Sequence, residues 1–334
     1  MIPEYNETWE IQDSSKIQAF MNCPRSYFFR YILGWKQDEK NIHLEYGSAV
    51  HLAMEHLLAG SKELPHKVKY TPEGILEAYG IFENYYREHF PPEMDELNQP
   101  KTPSNTMTLL MKYVERYQHE DVFDVLYTEV SGCVGIGEGK NVYFKIDAVC
   151  DGPDGLFTLE HKTGRGLTRV WADQWFQKTQ TGVYTHVLNC MFPDKVVSGV
   201  VINGLFPQKP SALKKDGTPR ANAKSDDPDK FCARVPVRRN QDQMNDWLFN
   251  ITFWYDFIRS EIDFLDKVEL DANVMTCFPK NTENCTKYFG CPYADYCRAW
   301  TNPLRKLDQI PTGFHIEHWD PRNLLDGAKK VVEL

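Results

Sequence analysis

Helical and alternating apolar patterns occupy different parts of this chain. Residues 14 to 33, SSKIQAFMNCPRSYFFRYIL, open on Ser14 or Ser15 as an N-cap and predict two short helices parted at Pro24, with Tyr27, Phe28, Phe29 and Tyr31 entering a core. Residues 46 to 59, YGSAVHLAMEHLLA, predict an amphipathic helix whose apolar side carries Val50, Leu52, Met54, Leu57 and Leu58. Two more helices are expected over 72 to 90 and 104 to 119, on either side of the Pro-rich PPEMDELNQPKTP. The period then changes to that of strands. DVLYTEVSG, NVYFKIDAVCDG and GLFTLEHKTG are rich in β-branched and aromatic residues, and the turn signal from Asp151 to Gly155 joins the second and third as a hairpin. A helix at 171 to 190, a strand at VVSGVVINGLF, a short strand at FCARVPVRR and a long helix over 241 to 267 follow.

Two stretches lack such patterning. Residues 207 to 230 are rich in Pro, Lys, Asp and Ala and predict a mobile insertion, locally basic through Lys209, Lys214, Lys215, Arg220, Lys224 and Lys230; it reads as a solvated linker or as a track for DNA. Residues 301 to 334 read as a polar tail. The element order, helices, three strands, helix, strand, makes an α/β chain.

Composition narrows the picture only modestly. The 334 residues are 42% hydrophobic and 25% charged, ordinary globular usage. No uninterrupted apolar stretch reaches membrane-spanning length, and the opening MIPEYNETWE has neither a basic nor an apolar leader region, so an intracellular protein without a membrane segment is expected. With 38 Lys and Arg against 47 Asp and Glu, the net charge is -9, which argues against coating nucleic acid with the whole surface and confines any DNA contact to a groove. Nine cysteines are many for such a chain. Cys133, Cys150, Cys190 and Cys232 stand singly and read as small buried hydrophobes, which leaves the remainder to explain.

The strongest chemical signal is KIDAVCDGPDGLFTLEHKTG, with Asp147, Glu160 and Lys162 on the two arms of the predicted hairpin. Glu160 and Lys162 point to one face because strand side chains alternate, and the turn brings Asp147 beside them. Two neighbouring carboxylates repel unless a proton or a divalent cation lies between them, and hard oxygen ligands favour Mg²⁺ or Mn²⁺. An exposed hairpin with a surface ion pair is the plain alternative. The second signal is NCTKYFGCPYADYC, in which Cys285, Cys291 and Cys297 recur at equal spacing; with a fourth ligand they would suit zinc.

KIDAV and LEHKTG resemble the core motif of the PD-(D/E)XK nucleases, RecB-like branch, with Lys145 where glycine is frequent and Glu160 where aspartate is. The resemblance implies a mixed β-sheet flanked by helices and a metal-dependent DNA nuclease. GSAVHLAMEHLL resembles the branch's first motif, which puts His51 on the metal and leaves His56 the weaker choice; Glu129 in LYTEV matches an acidic residue of the first strand; Gln180 and Tyr184 match its Q-x-x-x-Y motif. Cys23 in NCPRSYFFRY resembles the N-terminal cysteine of members that hold a [4Fe-4S] cluster, AddB-like and CRISPR-associated RecB-like exonucleases among them. That carry-over assigns Cys23, Cys285, Cys291 and Cys297 to the cluster, in a departing spacing that keeps Cys277 as a substitute ligand.

The resemblance implies one elaborated nuclease domain. It would comprise an N-terminal helical segment (14–45), a core (46–206) with a helical insertion (61–120), the insertion at 207–230, a C-terminal helix and cluster cysteines (231–300), and the tail. The expected activity is hydrolysis of DNA phosphodiesters, exonucleolytic, in recombination, repair, or phage or CRISPR DNA processing. His51, Asp147, Glu160 and the His161 carbonyl would hold one or two Mg²⁺ or Mn²⁺, Lys162 would orient water or phosphate, Glu129 would assist, and Gln180 and Tyr184 would position the strand. No G-x-x-x-x-G-K-[ST] loop is present, so a helicase or recombination motor would be a separate partner. A non-catalytic DNA-end or protein-binding module of the same fold, and a zinc-stabilised interaction protein, are the rival readings.

Overall fold

Short capping and breaking signals decide where each element starts. The computed structural model describes residues 3–59, 70–209, 227–287 and 290–334. Strand β1 (Gln12–Asp13) leads into helix α1 (Ser14–Asn22), and the N-cap is Asp13, not Ser14 or Ser15: its backbone is extended and its carboxylate accepts from the Lys16 amide at 2.7 Å. Pro24 opens α2 (Pro24–Tyr27) at a first-turn position that needs no N–H, and the chain continues as a π-helical turn over Phe28–Ile32. After β2 (Trp35–Gln37) comes α3 (Ile42–Ala59), which begins ahead of the predicted residue 46; then α4 (Pro72–His89) and α5 (Pro103–Tyr117), each with proline in its first turn.

Strands β3 (Asp124–Gly137), β4 (Lys140–Gly152) and β5 (Gly155–Thr163) run antiparallel. The helix predicted over 171 to 190 is two pieces, α6 (Arg169–Asp173) and α7 (Thr179–Met191). Thr168 caps the first, and Arg239 donates to the Phe176 carbonyl, which a continuous helix would have used, and to that of Lys178, which also accepts from the Gly182 amide of α7. Strand β6 (Val197–Leu205) lies parallel to β5, and β7 (Cys232–Val237) antiparallel to β6. Helix α8 (Gln241–Leu265) starts with a capping box between Asn240 and Gln243, and α9 (Ala294–Ala299) carries Cys297.

The polar tail is in fact structural. Its strand β8 (Phe314–Ile316) pairs with β2, its strand β9 (Lys330–Glu333) lies parallel to β3 at the sheet edge, and Pro303 and Leu304 are buried. Strands of three or four residues are too short for an alternating pattern to announce them. The main sheet thus has the order β7-β6-β5-β4-β3-β9, with β1 also pairing β4, and is mixed. One face packs on α1, α7 and α8, where Ile17, Phe20, Val187 and Ile258 share a core with Val142, Phe144, Ile146 and Ile202. Helices α3, α4 and α5 build a second core around Tyr46, Met54, Phe82 and Tyr113, and α3 lies across β3, β4 and β5. The chain is α/β, a mixed sheet flanked by helices.

Most of the predicted insertion at 207–230, with Lys214, Lys215, Arg220 and Lys224, lies outside the described residues, as does the start of the one at 61–120. Among the described residues no helix is long and apolar enough to cross a membrane. Cys150 and Cys232 are buried as predicted, whereas Cys133 is half-buried and Cys190 is exposed. Cys190 lies toward the end of α7, beyond the turns that pack on the sheet, so the single-hydrophobe reading fails for it.

Candidate active site

The β4–β5 hairpin closes with Gly152 opposite Gly155, and Pro153 and Asp154 between them. Gly155 has φ of 106°, and a Cβ there would stand 2.4 Å from the Val196 carbonyl oxygen, so this turn excludes any side chain. Its last regular rung pairs Ala148 with Leu159. One step further the strands part: β5 stays on β6, with Glu160 opposite Ile202, and Asp147 and Glu160 stand at the opening. A parting hairpin leaves carboxylates and main-chain groups free of the ladder, which is what an ion or a substrate phosphate needs.

Asp147 uses both oxygens. Oδ2 accepts from the His161 amide at 2.8 Å, and Oδ1 lies 3.1 Å from Nδ1 of His51 on α3. Glu160 Oε1 accepts from Lys162 Nζ at 2.6 Å and from Gln180 Nε2 at 3.1 Å, whereas the buried Oε2 has no partner among the described residues. Gln180 also donates to the Tyr184 hydroxyl at 2.8 Å, one helical turn along α7, and Tyr184 donates to the Lys145 carbonyl. Glu129, opposite Asp147 across the ladder, has φ of 49° and pairs with Lys145 Nζ at 2.6 Å. The structure therefore joins His51, Asp147, Glu160, Lys162, Gln180 and Tyr184 in one network and places Glu129 beside it, on the lysine that replaces a glycine. His56 lies apart, 3.0 Å from Glu77.

Charge is balanced tightly. Burial and the Asp147 carboxylate push the Glu160 carboxyl up to about 7. Burial also works against the charge on Asp147, but His51 and then His161 and Lys162 outweigh it and hold that carboxyl well below its ordinary range. For His51 the order is the same: burial opposes the imidazolium, and Asp147 more than offsets it. One carboxylate is thus held ionised and the other held ready to take a proton, as expected of two acids sharing a buried site.

Among the described residues no three His, Cys, Asp or Glu side chains form a ready-made metal cage; His51 and Lys162 supply the neutralising charge. The donors nevertheless suit a hard divalent ion. They are carboxylate oxygens with one imidazole, and Glu160 Oε2 is a buried acceptor that lacks a donor among the described residues.

A sequence profile of the PD-(D/E)XK nuclease superfamily matches residues 14–298. The chain belongs to the PD-(D/E)XK nuclease superfamily. No curated protein matches it. In this nuclease-superfamily chain the match takes in the hairpin, α7 and every candidate cysteine from Cys23 to Cys297.

The sequence reading missed part of the support around the nuclease motif. The His161 imidazole is buried, burial lowers it to about 3, and its Nδ1 lies 2.8 Å from the Asn203 amide on β6, which also reaches the Tyr113 hydroxyl. Its ring meets that of His51 edge-on at 5.8 Å. An asparagine inside the apolar run VVINGLF was the available signal, since a buried amide needs partners. Lys162 also lies over the Trp175 ring at 5.9 Å, which no spacing rule could have shown.

At the far side of α1, Cys23, Cys285, Cys291 and Cys297 line one cavity of about 300 Å³, with Phe29 and Tyr293 on its apolar wall. None is in a disulfide. Arg25 ties the two ends of the chain together beside it, donating to the carbonyl oxygens of Phe278 at 3.0 Å and Cys277 at 3.4 Å, while the Asn281 amide donates to Cys23 Sγ at 3.4 Å. Cys277 is buried outside this cavity, and burial pushes its thiol up to about 12.

Proposed function

We propose that this protein is a metal-dependent deoxyribonuclease of the RecB-like branch, acting as an exonuclease on DNA ends. The observation that carries the reading is the placement of Asp147, Glu160 and Lys162 where the hairpin parts, with a buried oxygen of Glu160 left without a donor among the described residues. His51, Asp147, Glu160 and the His161 carbonyl are the groups that would hold Mg²⁺ or Mn²⁺. Such an ion supplies an acidified water and neutralises charge on the scissile phosphate. Lys162, backed by Trp175, orients the attacking water or steadies the phosphate once Glu160 is otherwise occupied. Gln180 and Tyr184 hold Glu160 and the β4 backbone in register and present a polar edge to the strand. Glu129 tunes the site through Lys145.

The reading extends to the cysteines. Cys23, Cys285, Cys291 and Cys297 bind a structural [4Fe-4S] cluster that staples the start of the chain to its end. Four thiols around one cavity support this, and so does the exclusion of Cys277 from it. A zinc site of the same four thiolates is the second reading, favoured by the same cavity.

End-labelled single- and double-stranded DNA with Mn²⁺ or EDTA tests the activity. Cleavage should need the metal and disappear in Lys162→Ala; DNA binding without cleavage in the unsubstituted chain would support a non-catalytic module instead. Metal analysis and the visible spectrum test the cysteines. A brown protein whose iron and colour fall together in Cys23→Ser, and persist in Cys277→Ser, fits the cluster; a colourless protein containing zinc refutes it.

A further inference from the structure

Next to the catalytic network lies a second cavity that the proposed chemistry does not use. It has a volume of about 430 Å³, within the range of small-molecule sites, and sits between α1, the loop before α7, and the first half of α8. Its floor is Trp254, half-buried and held edge-on by Phe20 at 6.4 Å. The α8 wall carries Gln243, Asp246 and Asn250, faced by Gln177. Arg238 and Arg239 close the remaining side.

Gln243 Oε1 accepts from the Asn240 amide and Asn250 donates to the Asp246 carbonyl, whereas the arginines are incompletely satisfied among the described residues. Arg239 spends Nη2 on the Phe176 carbonyl at 2.8 Å and on Thr181, while its buried Nη1 has no partner among the described residues. Arg238 is exposed and, among the described residues, pairs with the equally exposed Asp154, at 2.7 Å. Lys178, the neighbour of Thr179, lines the adjoining cavity with Cys23 and Cys285; it has no carboxylate partner among the described residues, and burial and then the charge of Lys162 lower its pKa. Thr179 lines the cavity of Trp254, and its neighbour Gln180 touches Glu160.

We propose that this cavity holds one nucleotide of a single DNA strand whose scissile phosphate lies at Asp147 and Glu160. The base stacks on Trp254, the carboxamides and Asp246 meet its edge, and the phosphate lies toward Arg238 and Lys178. Each part has a chemical reason. An indole face accepts any base, carboxamides offer both donors and acceptors to a base edge, the carboxylate accepts from a base edge and repels a phosphate, and the cations on the opposite side draw the phosphate away from Asp246. On a chain of net charge -9, such a local cationic edge is what would admit a polyanion. Arg239 serves as a positioning residue, because its bonds to Phe176 and Lys178 fix the loop that separates the cavity from the catalytic network.

The inference rests on the nuclease reading for its direction toward Glu160, and the test separates the two. Binding of labelled oligothymidylate is measured by anisotropy in the Lys162→Ala chain, and cleavage of the same strand with Mn²⁺ in the unsubstituted one. Trp254→Ala should weaken binding about tenfold, the loss of one base stack, and Trp254→Phe should restore most of it. Arg238→Gln, at a position outside the core, should weaken binding and lower its salt dependence by about one phosphate contact. Unchanged affinity and salt slope in both Trp254→Ala and Arg238→Gln would overturn the cavity, whether or not the chain cleaves DNA. Affinity that falls with both substitutions in a chain that never cleaves would keep the cavity and sink the nuclease.

Discussion

Glu160→Gln removes one charge from a buried carboxylate pair and almost nothing from its volume, so its effect on stability can be worked out. In the folded chain burial and Asp147 raise the Glu160 carboxyl from 4.5 to about 7, with the pull of Lys162 already included. Between those values the folded protein keeps a proton that the unfolded chain has lost. Stability therefore falls as pH rises through this window and levels off above the folded value. Each pKa unit is worth about 1.4 kcal/mol, so ionised Glu160 costs the metal-free fold about 3 kcal/mol above pH 7 and nothing below pH 4.5. Glutamine resembles the neutral acid at every pH. Urea unfolding in EDTA should then find Glu160→Gln more stable than the parent by about 2 to 3 kcal/mol above neutrality, and level with it in acid. Saturating Mn²⁺ should stabilise the parent more than the variant, because only the parent offers the second carboxylate to the ion. If parent and variant show the same pH dependence in EDTA, Glu160 is ionised throughout and the shared-burial argument is wrong.

Two predictions concern the frame around the site. Gly182 lies between Gln180 and Tyr184, and a Cβ there would stand 2.1 Å from Trp247 Nε1, so Gly182→Ala should force α7 from α8, cost about 1 to 3 kcal/mol in denaturant melts, and loosen the Gln180 contact; wild-type stability would show that Trp247 moves aside freely. Arg234 pairs through two nitrogens with the fully buried Asp121 and lies 3.7 Å over the Tyr117 ring, so Arg234→Leu should lose about 3 to 5 kcal/mol near neutrality. Asp121→Asn in the same background should recover much of that loss, and no recovery would mean that packing, not a stranded charge, sets the cost.

Local chemistry was sufficient for part of this protein. Strand alternation and the dense turn at Asp151 to Gly155 already required Asp147, Glu160 and Lys162 to converge, because a two-residue turn permits few registers and each fixes which side chains share a face. The i, i+4 spacing of Gln180 and Tyr184 likewise placed them on one side of a helix. What the sequence left open was everything that depends on contact between distant segments. The break between α6 and α7 is bridged by Arg239, the edge strand β9 finds its pairing on β3, and the His161 support comes from Asn203 and Tyr113 on separate elements. The gathering of Cys23 with Cys285, Cys291 and Cys297 was expected from the family resemblance alone: no spacing rule links residues so far apart in a chain, and it is the packing of α1 and α2 against the C-terminal segment that brings their thiols to one cavity. Short-range geometry is set by dihedral angles and hydrogen-bond registers that each residue carries with it, whereas long-range proximity is the outcome of burying two cores at once.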